Sequence, residues 1–413
     1  MRALINAILS KAGGAMFTLA LVAYLGRTIG SEASGYFYFT LAVAMILSQL
    51  LRLGMDGVVL RLASRYHQAG DADALRGLAG DLLVYLAGCG AIMILLGKLA
   101  AGYAAPLLFA GESPDLLYAT ALYSFVPFTL MWICAALLKG IGRTSLSVFI
   151  EAGSVPLLVL LCLLPSTEAA GYREAVDALL WSNVLAAFFA LALVLRYAGC
   201  RISLSGLWPR CRELQAESLR GVWVAVSNTL IVWSPLFFLG MLATPADVGI
   251  YNAAFRVTMV IGAFSAVFRG LATPRLAALL QRKESPVPFL RRSMTQILLA
   301  GLLLLAAGEM TFERLFAYFG PGFAPASALA MLMLVGMLAN VLFVIMETQL
   351  ILADRNDLLR ANALFTLLVG LPLTLALIMS FHAYGAALGF VLTNVLSRSN
   401  MLYLFNRSYA CRI

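Results

Sequence analysis

Runs of about 20 apolar residues, the length of a helix that crosses a hydrocarbon core, recur from one end of this sequence to the other. Twelve are distinguishable, near residues 6–26, 35–55, 79–99, 117–138, 146–165, 177–196, 220–242, 250–270, 293–311, 325–347, 359–379 and 384–405. In lipid, backbone polar groups must be satisfied within the segment or around a closed barrel. Barrel strands alternate apolar and polar residues over about 10 positions, whereas these runs are continuous. The expected fold is therefore an all-α polytopic membrane protein with twelve transmembrane helices. The apolar share is 62% and the charged share 12%, about half the charge that covers a soluble domain. The 413 residues leave no room for a separate soluble domain.

The N-terminus carries Arg2 and Lys11 before an apolar stretch to Leu25. A signal-peptide core is only about 7–15 residues long, so this stretch reads as a retained first span. Residues 98–110 are expected to form an interfacial helix after the third span. With both termini placed in the cytoplasm, 24 of the 29 Lys and Arg residues fall on cytoplasmic faces, four fall outside and Arg256 lies within a span. That asymmetry follows the positive-inside rule. The net charge of +9 is thus topological, and no nucleic-acid partner is implied.

The longest cytoplasmic link divides the spans six and six. Residues 1–197 form one expected lobe and 219–413 the other. The linker 198–218 contains the basic, amphipathic WPRCRELQAESLR, which suits a membrane surface. A short repeat relates the lobes: YLGRTIGSEASGYFYF from Tyr24 and FLGMLATPADVGIYNA from Phe238 superpose after a shift of 214 residues. Leu25, Gly26 and Gly35 then meet Leu239, Gly240 and Gly249. Two lobes in the same orientation predict a pseudo-two-fold axis along the membrane normal, with a substrate site between them. The six cysteines contain no C-x-x-C pair, and His67 and His382 stand far apart. Neither a metal nor a cofactor is expected.

Three stretches carry a family resemblance: ATPADVGIYNAAFR (243–256), LRLGMDGVVLRLASRY (51–66) and HAYGAALGFVLTNVLSR (382–398). In order and spacing they resemble the polysaccharide-transport branch of the multidrug/oligosaccharidyl-lipid/polysaccharide exporter superfamily, which includes O-antigen repeat-unit flippases. The resemblance extends over essentially the whole chain. It implies two six-helix lobes around a central cavity, alternating access, and a polyprenyl-diphosphate-linked oligosaccharide as substrate. It also implies a bacterial inner-membrane location, contact with membrane lipid and a functional link to polysaccharide polymerase machinery. Relatives are expected to carry an acid midway along the seventh span, where this chain has Ser234 and Pro235.

A flippase must carry a diphosphate and sugars across about 30 Å of hydrocarbon. Few cations suffice, because each intramembrane charge costs about 2.5–3.5 kcal/mol on insertion scales. Arg256, roughly 10 Å into the eighth span at 1.5 Å per residue, is the foremost candidate, since a guanidinium fork suits phosphate. The alternative is that it snorkels or pairs with Glu309 or Asp247. Arg52 and Arg61 bracket Asp56, and Arg52 with Asp56 is also an i,i+4 salt bridge. Lys11 lies beside Gly13 and Gly14, which would permit close helix approach; it equally fits a cytoplasmic anchor. Arg27 is a candidate outer gate or an interfacial residue. Arg269, near the cytoplasmic end of the Arg256 span, completes the cationic candidates. Asp56, Glu151, Glu309 and Glu347 are candidate coupling acids or simple partners of nearby arginines. Ser227, Asn228, Asn340 and Asn394 suit sugar contacts or interhelical hydrogen bonds. Trp132, Trp223 and Trp233 read as interfacial or packing aromatics.

No catalytic group is expected. A membrane glycosyltransferase or polymerase would need acids on a sizeable outer loop, and the first one, GRTIGSEASG, offers only Glu32. A drug/cation antiporter of the same superfamily is the stronger rival and should favour acids in its lumen. A peptidoglycan-precursor flippase should have fourteen spans and a longer chain.

Overall fold

The computed structural model describes residues 2–109, 113–165, 171–202, 207–262, 264–282 and 284–409. Every regular element among them is helical. Among the described residues, nine helices are long and apolar enough to cross a membrane, by length and composition. The protein is a multi-pass membrane protein, and all twelve expected runs are helical.

The chain forms two compact units, Met1–Thr229 and Leu230–Ile413. Unit 1 holds α1 (Arg2–Thr28), α2 (Gly30–Arg52), α3 (Met55–Ala69), α4 (Ala72–Leu108), α5 (Pro114–Gly140), α6 (Thr144–Phe149), α7 (Val155–Leu163) and α8 (Tyr172–Tyr197). It also holds the first part of α9 (Leu207–Leu242). Unit 2 continues from α9 into α10 (Pro245–Gly262), α11 (Phe264–Gln281), α12 (Val287–Phe319), α13 (Ala326–Leu352) and α14 (Asn356–Tyr409).

In unit 1, α5 is the central helix and packs against α2, α3, α4, α6 and α8. Its small and apolar residues, among them Ala121, Phe125, Ala135 and Leu138, are fully buried. The helix α1 lies against the fifth span, where a π-helical turn, Ile150–Ser154, separates α6 from α7. Gly14 makes that approach possible, because a Cβ there would stand 2.8 Å from Ala152 Cβ and 2.9 Å from its backbone carbon. Gly13, expected to share the task, faces open space.

Residues 98–108 do not form a separate interfacial helix. They extend α4 without a break to 37 residues, or roughly 55 Å at 1.5 Å per residue, since nothing before Pro106 interrupts the helical sequence. In contrast, α2 and α3 are divided by two consecutive left-handed residues, Leu53 (φ 45°) and Gly54 (φ 83°).

In unit 2, α13 is central and packs against α10, α11, α12 and α14. Ala272, Leu276, Ile297, Val344, Ile345, Met401 and Phe405 form a buried cluster that joins α11, α12, α13 and α14. The expected eighth span covers most of α10 and the start of α11, which flank residue 263, with Arg256 in the first stretch and Arg269 in the second. The last two spans are the halves of α14, divided at His382 (φ 50°, ψ −123°). Side-chain hydrogen bonds tie the halves together, with Asn362 Nδ2 donating to Ser397 Oγ (3.0 Å) and Asn400 Nδ2 to Asn362 Oδ1 (3.0 Å).

The 214-residue repeat coincides with the first helix turn of each unit. The Ile29 N–H donates to the Leu25 carbonyl at 2.9 Å, and the Ala243 N–H donates to the Leu239 carbonyl at 2.9 Å. Leu25 and Leu239 are both fully buried, as are the matched rings of Phe37 and Tyr251. The next residue differs. Gly30 takes a left-handed conformation (φ 79°). Thr244 instead caps α10: Asp247 N–H donates to Thr244 Oγ1 (3.2 Å) and Thr244 Oγ1 donates to Asp247 Oδ2 (2.7 Å). Thr-Pro-Ala-Asp is a helix start with Pro at the first helical position, where its missing N–H does no harm.

Candidate functional site: cations at membrane depth

In unit 1, Arg52 is the last residue of α2 and is 4% exposed. Its Nη1 donates to Asp56 Oδ2 at 2.7 Å across the α2–α3 break, and its guanidinium lies 4.9 Å from the centre of the Trp132 ring. Asp56 and Trp132 thus meet two faces of one cation, an ion pair and a cation–π contact. Beside it Thr229 Oγ1 donates to Gln49 Oε1 (3.0 Å), and Ser218 Oγ donates to the Leu53 carbonyl (2.5 Å).

Arg61 is exposed and pairs with Glu217 (2.7 Å). Glu151, in the π-helical turn, accepts from Lys139 Nζ at 2.8 and 3.2 Å. Asp81 is almost fully buried and receives both Arg210 Nε (2.7 Å) and Nη2 (2.8 Å). Contacts with Arg210, Glu217, Ser218 and Thr229 fix the first half of α9 to α4, α3 and α2. Lys11 and Arg27 stand exposed on α1.

In unit 2, Arg256 is half-buried on α10. Its Nε donates to Asn252 Oδ1 at 3.4 Å, one turn earlier, and its guanidinium lies 5.4 Å from the centre of the Trp233 ring. Asp247, weighed as its partner, is instead committed to the cap at Thr244. Glu309 is exposed on α12.

Glu347 on α13 is shared by two arginines. Its Oε2 accepts from Arg398 Nη1 (3.2 Å) and its Oε1 lies 3.7 Å from Arg269 Nη2. Arg398 Nη2 donates to Asn340 Oδ1 (3.0 Å), whose Nδ2 donates to Asn394 Oδ1 (3.2 Å). A polar chain therefore runs from Arg269 on α11 to Asn394 on α14. Asn394 borders a small cavity of about 10 Å³ that Ser234, Pro235, Thr374, Phe390 and Thr393 also line. Ser234, at the position where an acid is expected in relatives, thus faces hydroxyls and a carboxamide. Arg355 grips Asp357 with two 3.1 Å hydrogen bonds.

The structure brings together Arg52 with Asp56, and Arg269 with Glu347. It adds Trp132, Trp233, Asn252, Lys139, Glu217, Asp81, Arg210 and Arg398, which the sequence did not single out as site partners. Only Asn252 stood at a readable spacing, four residues before Arg256. Arg398, Lys139 and Arg210 were hidden by the positive-inside bias that places basic residues at cytoplasmic ends.

The sequence model of a family described as polysaccharide biosynthesis protein matches residues 2–279. No curated protein sequence matches the chain. Among solved structures, the lipid II flippase MurJ in an inward-closed conformation is similar at 12% identity and TM-score 0.75, covering 98% of this chain and 87% of that one. An inward-facing multidrug resistance transporter of the MATE family and MOP superfamily is similar at 16% identity and TM-score 0.69, covering 96% and 95%. A MOP-superfamily transporter from Pyrococcus furiosus is similar at 16% identity and TM-score 0.60, covering 98% and 95%. At these identities the likeness speaks for the fold.

Proposed function

Because the chain belongs to the polysaccharide biosynthesis protein family, we propose that it is a flippase for polyprenyl-diphosphate-linked oligosaccharide repeat units. It moves them from the cytoplasmic to the periplasmic leaflet of a bacterial inner membrane, with both termini cytoplasmic. The product feeds a polysaccharide polymerase that builds O-antigen or exopolysaccharide. The lipid tail stays in the bilayer while two six-helix lobes, 1–197 and 219–413 joined by 198–218, alternate access to the headgroup. The MurJ structure is that of a lipid II flippase, and lipid II flipping poses the same task of carrying a charged headgroup through hydrocarbon.

The observation that carries this reading is Arg256. A guanidinium within a span is costly, and here it rests on a neutral carboxamide and an indole face. Both contacts orient the fork, whose planar bidentate geometry suits a phosphate ligand. Arg52, Arg61, Lys11, Arg27 and Arg269 are the further cationic candidates. With no acid at Ser234, the membrane potential supplies the drive, since one negative charge moved outward gains about 2.3 kcal/mol per 100 mV.

The test is the sidedness of lipid-linked oligosaccharide in cells lacking the protein, read by an outside-added glycan probe on spheroplasts. Trapping of the intermediate inside, without rescue by Arg256→Ala, is expected. Unchanged inner and outer pools together with sensitivity to cationic drugs would replace this reading with a drug antiporter; one structural neighbour is a multidrug resistance transporter of the MATE family.

A further inference from the structure

Glu347 is held very unequally by its two arginines. Arg398 is 15% exposed in its side chain, reaches Glu347 at 3.2 Å and keeps Asn340 as a second acceptor at 3.0 Å. Its Nε is buried without a partner, so the guanidinium depends on Glu347 and Asn340 for its place. Arg269 is 45% exposed and lies at 3.7 Å, beyond a good hydrogen bond. The three charges leave the cluster one positive charge in excess. The backbone around it is fixed, because Ala272 and Leu276 of α11, Met346 and Leu350 of α13, and Met401 of α14 are packed in one buried cluster. Glu347 is therefore anchored on one side and loosely tethered on the other.

We propose that Glu347 is a positioning residue that competes with the substrate diphosphate for Arg269. This rests on the flippase reading above. Anchored to Arg398, the carboxylate keeps Arg269 oriented and partly neutralised until a diphosphate arrives. A diphosphate carries more charge and more acceptor oxygens than one carboxylate, so it takes Arg269 and leaves Glu347 on Arg398. Return of Glu347 to Arg269 then helps the headgroup to leave. The arrangement exchanges some affinity for release, which a carrier needs because substrate bound too tightly is not delivered.

The experiment measures binding of farnesyl diphosphate, with farnesol as the uncharged control, to the full-length protein in lipid nanodiscs. Glu347→Gln keeps an acceptor for Arg398 and removes the competing charge. Since a half-exposed ion pair contributes only about 0.2–1 kcal/mol, the expected gain in diphosphate affinity is about 1.4-fold to fivefold. Farnesol binding stays unchanged. Glu347→Asp, whose shorter arm keeps Arg398 and falls short of Arg269, gives the same gain and serves if the Gln variant does not fold. Adding Arg269→Ala abolishes the gain. In flipping assays Glu347→Gln lowers KM and kcat together, a split that a purely structural role would not produce. A wild type that prefers the diphosphate but gains nothing from either Glu347 variant, or a gain that survives Arg269→Ala, overturns the competition and leaves the flippase reading standing. A wild type that binds farnesol and farnesyl diphosphate alike removes both.

Discussion

The two units of the molecule handle positive charge differently. In unit 1 Arg52, Lys139 and Arg210 each meet their own carboxylate, at 2.7, 2.8 and 2.7 Å. In unit 2 Arg269 and Arg398 share the single carboxylate of Glu347, and Arg256 rests on a carboxamide and an indole. Both units place an arginine over a tryptophan, Arg52 over Trp132 and Arg256 over Trp233. The indole is the shared device, and the sharing of one carboxylate by two arginines is the difference. A cation locked to its own acid holds helices together, and a cation that shares one keeps part of its field for a ligand. On the flippase reading proposed above, unit 1's paired charges serve mainly architecture and unit 2's mainly the substrate.

The largest test of that division is at Arg256. Charge-assisted hydrogen bonds contribute about 1.5–3 kcal/mol each, so Arg256→Ala should slow flipping roughly a hundredfold, with little change in thermal stability. Arg256→Lys keeps the charge but loses the planar fork and its stacking, and an intermediate loss of about tenfold is expected. A Lys variant as fast as the wild type would mean that the fork is not used. Stability loss as large as the activity loss would move Arg256 into the architectural class with Arg52.

The complementary test is in unit 1. Asp81 is nearly buried but Arg210 is 40% exposed, so a stranded Arg210 turns to water. Asp81→Ala should cost about 2 kcal/mol, below the 3–5 kcal/mol of fully buried pairs, and lower the unfolding temperature. Flipping per folded molecule should be unchanged. Replacing both partners, Asp81→Leu with Arg210→Met, should recover most of the loss, because apolar substitutes often match an ion pair in stability. A double variant as unstable as the single one would show that Asp81 has a role beyond the pair.

How far the sequence foretold this arrangement depends on separation along the chain. The helices were readable because each span announces itself in about 20 consecutive residues. Arg52 with Asp56 was readable because i,i+4 neighbours share a helical face, even though the helix breaks between them. Arg52 with Trp132, Asp81 with Arg210 and Glu347 with Arg398 were not. Those partners lie 80, 129 and 51 positions apart, and only helix packing decides which residues meet. Arg398 was further concealed because the cytoplasmic-end position expected for it already had a sufficient explanation in topology.

The smallest expected effects test the repeat itself. The first turn of each unit ends on the same 2.9 Å hydrogen bond, and the following residue solves the helix start in two ways. Gly30 does it with backbone freedom. No neighbour lies within 4 Å of the position its Cβ would take, so Gly30→Ala meets no steric obstacle and its cost is conformational only. A left-handed non-glycine residue costs about 1–2 kcal/mol, and Gly30→Asn should cost less, because Asn tolerates that region. Thr244 does it with a side-chain cap, so Thr244→Ala should cost about 1 kcal/mol and Thr244→Gly only a few tenths. The glycine substitution thus separates the two solutions: it is nearly neutral at 244, while alanine is costly at both positions. If Gly30→Ala is as harmless as Thr244→Gly, the first turn does not need its left-handed residue. The matched positions would then share their hydrogen bond without sharing a constraint on how the second helix begins.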